Sequence, residues 1–415
     1  MRKLSSIFLR TALVVLLLPS FSKSVLSQGS WAADSSIGFF PRMGHTATVI
    51  GGKIYVIGGR FGSPADTVQL FDPETHTWTS LATLGKFTSR QGHTSSVVNG
   101  KIYVIGGDSG KWSPSGGLVN SVEVFDPSTN SWSTPQTKGT FINRHWHTSE
   151  VVGGKIYVIG GYGDTSILGA IQVFDPTTDE WQTPSTSGTF TARYGLGSGV
   201  IDGKIFALGG ADKDSNIGIV QVFDPMTSTW STLETTGTFT PRSGFASSVL
   251  NNRIYVFGGL IPPWGWTSLV EVLDCYSNQW SSPARSGHFS PRSGLTASSL
   301  NGEIYALGGL MCDVVPNCVV NTNEVFTPGP LEVAIPAATT ISLSPNPTSG
   351  PITISGLPNT ASSLSILNLL GESILSLSNS GAARLTLDLS KLPPSFYYLK
   401  VQSSEGTQLQ KLLKK

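Results

Sequence analysis

Six Gly-Gly doublets, at Gly58-Gly59, Gly106-Gly107, Gly160-Gly161, Gly209-Gly210, Gly258-Gly259 and Gly308-Gly309, are spaced 48, 54, 49, 49 and 50 residues apart. An arginine lies 16 residues before each doublet: Arg42, Arg90, Arg144, Arg193, Arg242 and Arg292. Five units then carry an aspartate six residues before a tryptophan, at Asp72/Trp78, Asp126/Trp132, Asp175/Trp181, Asp224/Trp230 and Asp274/Trp280. A period near 50 excludes most globular topologies. One such unit buries too little by itself and must stack on its neighbours in a ring or an array.

Each unit reads as four strands. Between arginine and doublet, two apolar runs flank a two-residue turn: Gly51-Gly52, Asn99-Gly100, Gly153-Gly154, Asp202-Gly203, Asn251-Asn252 or Asn301-Gly302. These residues tolerate positive φ and predict type I′ hairpins. The second run, as in Lys53-Ile54-Tyr55-Val56-Ile57, is apolar on both alternating faces, so its strand is covered on both sides. A third strand ends at a Phe-Asp-Pro turn signal (Phe71-Asp72-Pro73), and the tryptophan opens the fourth. The sixth unit reaches Phe326-Thr327-Pro328 without a tryptophan strand, yet Trp31 sits 11 residues before Arg42, much as Trp280 sits 12 before Arg292. The N-terminal segment is thus expected to supply the outer strand of the sixth blade and close the ring. Six blades lie within the usual range.

With Arg-x-Gly-His (Arg42 to His45, Arg90 to His93), Ile-Tyr-Val-Ile-Gly-Gly and Asp-Pro-x-Thr-x-x-Trp, the chain resembles the kelch-repeat β-propellers over roughly residues 30–328. Later units depart at the histidine (Leu196, Phe245, Leu295), and Cys275 stands where proline is usual. Beyond a Pro/Ala stretch at 329–338 the repeat vanishes. Residues 339–415 resemble the type A C-terminal sorting domain of the type IX secretion system. The resemblance rests on Ser344-Pro345-Asn346-Pro347, Ile366 to Gly371, Leu387-Asp388-Leu389-Ser390 with Leu392, Tyr397 to Val401 and Lys411 to Lys415. Ser395 departs from the glycine usual before the aromatic position. That resemblance implies a partner in the outer-membrane secretion machinery, removal of the tail during export, and transfer of the body to a surface lipopolysaccharide. The expected fold is therefore all-β: a six-bladed kelch propeller (28–328) closed by the N-terminal strand, a linker (329–338), and a small β-sandwich tail (339–415).

The N-terminus reads as an export signal. Arg2, Lys3 and Arg10 precede the apolar run Thr11–Leu18, which is too short to span a bilayer, and Val25-Leu26-Ser27 offers small residues before a cut at Gln28. A secreted or surface-attached protein is expected. The formal net charge of +1 conceals a split, because residues 28–338 carry 17 cations and 23 acids. An acidic body does not suit phosphate, so nucleic acid is not an expected partner. Cys312 and Cys318 are close enough to staple one loop in an oxidising compartment, leaving Cys275 as a small buried hydrophobe. A monomer without a cofactor is expected.

Repetition separates frame from site. A residue present in all six units is there to build a blade, since only a symmetric ligand could use every copy. The six arginines meet that condition, although their place before the innermost strand could also present a cationic ring to a ligand. The loops after the doublets differ freely and carry Trp112, Tyr162, Trp264 and Trp266. Aromatic residues on a rigid scaffold suit sugar stacking or pockets for peptide side chains. Catalytic signals are thin. His145 and His147 form an i, i+2 pair without a clear third metal ligand. Glu150 stands on the inner strand of blade three, where blade one has Thr48, as a channel carboxylate. The sequence points to a binding module for a glycan or protein ligand. A sugar-directed enzyme, mutarotase-like or otherwise carbohydrate-active, with its site in the channel is the alternative.

Overall fold

Two consecutive residues of positive φ close the first hairpin of every repeat, as at Asn99 (51°) and Gly100 (74°) or Asn251 (51°) and Asn252 (58°). This backbone twist matches that of the flanking strands and fixes their register. In the computed structural model, residues 29–110, 117–263, 265–312, 317–329, 341–357, 361–368, 373–378, 382–403 and 406–415 are described. The expected signal segment and most of the expected linker lie outside them. The chain divides into two units, 1–331 and 332–415.

The first unit holds six sheets built alike. Blade one runs outward from the axis as Thr46–Ile50, Lys53–Ile57, Val68–Asp72 and Thr77–Ser80, all antiparallel. Blades two to five begin on the inner strands Thr94–Val98, Thr148–Val152, Gly197–Ile201 and Ala246–Leu250. Second strands are covered on both faces, as their unbroken apolar runs require: Ile54, Val56 and Ile57 are fully buried. In the sixth blade, Thr296–Leu300, Glu303–Leu307 and Asn323–Thr327 are followed by the N-terminal strand Gly29–Ala33, with Trp31 opposite Phe326.

Each blade ties its entering segment to its own outer strand by one repeated ring stack. The tryptophan of each outer strand lies on the phenylalanine three residues before the arginine of its own blade. Centroid distances are 4.4 Å for Trp132 on Phe87, 4.5 Å for Trp181 on Phe141 and 4.5 Å for Trp280 on Phe239. Trp31 lies 4.4 Å from Phe289 in the same way, so the N-terminal strand does the work of the other five. Cys312 and Cys318 are disulfide-bonded within the loop of blade six. Cys275 is half-buried, and burial pushes its thiol up to about 12, which keeps it protonated and unreactive.

The second unit is a sandwich. A three-stranded sheet (Ser342–Ser344, Pro351–Ser355, Arg384–Asp388) and a four-stranded sheet (Ala361–Leu367, Ser373–Ser378, Ser395–Ser403, Gly406–Lys414) share a core containing Ile352, Ile354, Leu364, Ile366, Leu399 and Leu412. Asn346 of the Ser-Pro-Asn-Pro motif brackets the last strand. It donates to Lys411 O at 2.9 Å and accepts from Leu413 N at 2.9 Å.

Truncating Trp31 to Ala removes one of six equivalent ring stacks and should cost about 3–5 kcal/mol. A lowered unfolding midpoint in denaturant is the expected readout. An unchanged midpoint would mean that the N-terminal strand does not help hold blade six.

Candidate functional site

Each arginine braces its own blade. Arg144 is fully buried, and donates from Nη1 to Gly160 O (3.0 Å), from Nη2 to Gln172 Oε1 (2.7 Å) and from Nε to Ile142 O (3.0 Å). Arg42 repeats the pattern with Gly58 O (2.8 Å) and Gln69 Oε1 (2.7 Å), and Arg193 meets Gln221 Oε1 at 2.8 Å. In blades two, five and six the acceptor is ionic: Arg90 lies 2.7 Å from Glu123 Oε1, Arg242 pairs with Glu271, and Arg292 pairs with Glu324. One face of each guanidinium covers the phenylalanine three residues earlier, as for Arg90 over Phe87 at 5.1 Å. Burial pushes Arg42, Arg90, Arg144 and Arg193 down to about 10, so they remain charged at neutral pH. None of the six is more than 2% exposed. The cationic ring anticipated at the mouth is therefore not presented, because the donors are turned into the blades.

Two residues past each arginine, the chain reaches the axis. There six backbone hydrogen bonds, each 2.8 Å, run round in a closed cycle: Gly92 N to Gly44 O, Trp146 N to Gly92 O, Gly195 N to Trp146 O, Gly244 N to Gly195 O, Gly294 N to Gly244 O, and Gly44 N to Gly294 O. All six residues have φ between 51° and 62°. That left-handed conformation is natural for glycine and costs an ordinary residue of order 1–2 kcal/mol. Trp146 alone departs from glycine, at φ 51°. Its indole lies over blades one and two. A Cβ at Gly44 would stand 2.9 Å from Trp146 Cη2, and one at Gly92 3.3 Å from Cδ2. Two glycines thus make room for a tryptophan that the backbone disfavours.

The residues around this ring differ from blade to blade. The position before the axial residue is Met43, Gln91, His145, Tyr194, Ser243 or Ser293, each bridged to the residue after its own doublet: Arg60, Asp108, Tyr162, Ala211, Leu260 or Leu310. A cleft of about 150 Å³ opens on this face beside Trp146, bounded by Met43, Tyr194, Ser243, Leu260 and Ser293 over a floor of Gly195, Gly244 and Gly294. A smaller space of about 110 Å³ lies at the glycine ring, lined also by His45, His93, Leu196, Phe245 and Leu295. His93 and His147 reach the threonine of the preceding blade, at 3.3 Å from Thr46 Oγ1 and 3.1 Å from Thr94 Oγ1. Burial pushes His45 and His147 well below their ordinary value and His93 to about 3, which keeps these imidazoles neutral.

Below the ring, hydroxyl pairs join the inner strands, such as Thr48 with Ser95 (2.6 Å) and Ser96 with Ser149 (2.9 Å). Glu150 replaces a hydroxyl in this belt, accepts from Ser198 Oγ at 2.6 Å, and is the one ionisable side chain on the six inner strands. Desolvation pushes it up to about 7.

Of the loop aromatics, Tyr162 is exposed, with its ring 5.9 Å from those of His145 and Tyr194. Trp266 is half-buried on a short hairpin and donates from Nε1 to Ser293 Oγ at 3.1 Å. Trp112 and Trp264 lie outside the described residues. His145 and His147 take different partners, and among the described residues no three His, Cys, Asp or Glu side chains gather. Trp146 and Tyr194 are the residues that sequence reasoning missed. The signal was a column of five glycines interrupted by one tryptophan.

This architecture is matched by known families. Residues 44–259 match the KLHDC2/KLHL20/DRC7 Kelch-repeats domain, 241–285 the Kelch motif, and 342–415 the secretion system C-terminal sorting domain. The chain belongs to the kelch-repeat family and carries a type IX sorting domain at its C-terminus. Similar curated proteins include the human "Rab9 effector protein with kelch motifs", 28% identical over 141 residues, which are 33% of this chain and 38% of that protein. Alpha-scruin of Limulus polyphemus is 31% identical over 95 residues, covering 22% of this chain and 10% of its own. The "tRNA wybutosine-synthesizing protein 2/3/4" of Oryza sativa subsp. japonica is 29% identical over 128 residues, covering 31% and 7%. The matched regions thus span less than two fifths of these relatives. Kelch repeats point to a protein-interaction module, and the sorting domain to export to the cell surface or beyond.

Glu150 gives the site a pH signature. Its folded value near 7 lies above the ordinary 4.5, so the folded state holds the proton more tightly. Its contribution is present below pH 4.5 and is lost as pH rises through 7. Glu150→Gln should therefore gain stability over wild type between those limits and hold a constant lead above them, read by paired melts from pH 4 to 8. A lead that does not change with pH would contradict a desolvated carboxyl here.

Proposed function

We propose that this chain is an exported binding module that holds a glycan or protein ligand on its loop face, around the axial mouth. One observation carries the reading. The repeat is kept wherever a residue builds a blade, and is broken around the mouth by Trp146, His145, Tyr162 and Tyr194, which are not equivalent to anything in other blades. Tyr162 and Trp266 are contact residues in this reading, as are Trp112 and Trp264. The arginines support the site from beneath. Residues 1–27 serve as the signal peptide, the tail delivers the body to the secretion machinery, and the mature protein works as a monomer outside the cell or attached to its surface.

A sugar-directed enzyme is the second reading, and Glu150 is the observation that favours it, since a carboxyl near 7 suits proton transfer. It stands without a second acid on the inner strands, whereas glycoside hydrolysis ordinarily needs two.

The test is a paired screen of the full chain and a Tyr162→Ala, Trp266→Ala variant on glycan and protein arrays. Ligands held by the wild type and lost by the variant are expected. Ligands held equally by both would overturn the loop-face reading.

A further inference from the structure

We infer that the uncovered half of the axial ring is a socket for a single apolar side chain of a protein partner, with basic residues of that partner beside it. The inference rests on the loop-face reading and sharpens it. The observation behind it is the asymmetry of the ring. Trp146 covers Gly44 and Gly92, whereas Gly195, Gly244 and Gly294 form the floor of the open cleft. A frame of glycines alone would leave a shallow symmetric dish. One tryptophan turns it into a recess with a tall aromatic wall.

A residue held in a strained backbone conformation, where the same frame uses glycine five times, marks a place where the side chain matters. Trp146 is also half-buried, not lost in a core, so its indole is available to the cleft. Tryptophan beside a recess is the arrangement that anchors protein interfaces.

The lining selects the ligand. Met43, Trp146 and Leu260 are apolar, Tyr194, Ser243 and Ser293 offer hydroxyls, and the floor is backbone whose axial N–H groups already donate round the ring. Ser293 already accepts from Trp266. The cleft has no carboxylate, carboxamide or guanidinium among its lining residues, the groups that hold a sugar's hydroxyls. A recess of about 150 Å³ suits one side chain, such as leucine, methionine or phenylalanine.

Charge sets what flanks that anchor. Among the described residues, the loops following the doublets carry five acids (Asp66, Asp108, Asp164, Asp212, Asp214) against two cations (Arg60, Lys213). Lys213 is paired with Asp214 at 2.8 Å. The cations Lys86 and Lys138 belong to the outer segments, where Leu84 and Lys138 bridge to the fourth strands at Ser131 and Glu180. The inner loops thus favour a partner that brings lysine or arginine next to its apolar anchor.

The test pans a phage-displayed random-peptide library against the full chain and measures the enriched peptides by calorimetry. Trp146→Gly is the decisive variant, since it restores the residue that five blades already use and should melt close to wild type. Peptides with one apolar residue next to lysine or arginine are expected. They should bind Trp146→Gly at least about tenfold more weakly, and replacing the apolar residue by alanine should add little to that loss. Asp212→Asn with Asp214→Asn, in the blade-four loop whose Ala211 is bridged to the cleft residue Tyr194, should weaken them further and flatten the salt dependence. Equal binding to Trp146→Gly, or enriched peptides without an apolar anchor or with acidic flanks, would overturn the socket. If such peptides still lost affinity to Tyr162→Ala, Trp266→Ala, the loop-face reading would survive. An empty peptide selection beside a positive glycan array would likewise sink the socket and keep the loop face. Silence in both would sink both.

Discussion

A guanidinium shut away from water holds each blade together, and the axis depends on it. Arg144 ties the carbonyl of its glycine doublet, its own incoming segment and the third strand through Gln172. The phenylalanine it covers stacks in turn on the tryptophan of the outer strand, so one line of contacts runs from doublet to blade edge. A buried charge left without a partner is worth several kcal/mol of penalty, which makes the arrangement intolerant of change. Its geometric consequence lies two residues further on, where the fixed segment delivers Trp146 or a glycine to the closed cycle of axial hydrogen bonds. The arginine does not touch the mouth; it decides where the mouth is.

On such a frame, function can reside only in departures from sixfold repetition. They are concentrated in blade three and its neighbour: His145 and Trp146 before the inner strand, Glu150 upon it, Tyr162 after the doublet and Tyr194 one blade on. Trp146 and Tyr194 both line the cleft, and Tyr162 and His145 extend the aromatic patch. Glu150 lies four residues past Trp146, on the inner strand, and is bonded to Ser198, below the ring. The family match agrees with this division, since kelch repeats point to an interaction module, and the tail explains how a propeller of this kind leaves the cell.

Much of the frame was legible because repetition multiplies weak signals. A lone Asn-Gly predicts a turn poorly; six turn pairs in register define six hairpins. Trp31 was legible by its spacing, and its stack on Phe289 matches the other five. The arginines were assigned to the blade, but not their complete burial, because the glutamine or glutamate that receives them lies 27 to 33 residues away in sequence. Phe-x-x-Arg was present in every repeat and went unread, as a stack on the tryptophan at the far edge of the blade has no local periodicity. Trp146 was hidden for a different reason. Its meaning depends on φ at that position, and the five glycines in its column reveal this only once the column is known to lie on the axis. The aromatic loops were read by composition alone, so Tyr162 and Trp266 looked alike; the structure leaves Tyr162 exposed and half-buries Trp266, which donates to Ser293 of the next blade.

The central claim is that arginines build and the axial tryptophan serves. Chemical denaturation of Arg242→Ala beside Trp146→Gly separates the two roles directly. Arg242→Ala leaves Glu271 buried without its partner and should lose about 3–5 kcal/mol, whereas Trp146→Gly should stay within about 1 kcal/mol of wild type. An Arg242→Ala protein as stable as wild type, or a Trp146→Gly protein that fails to fold, would contradict the account.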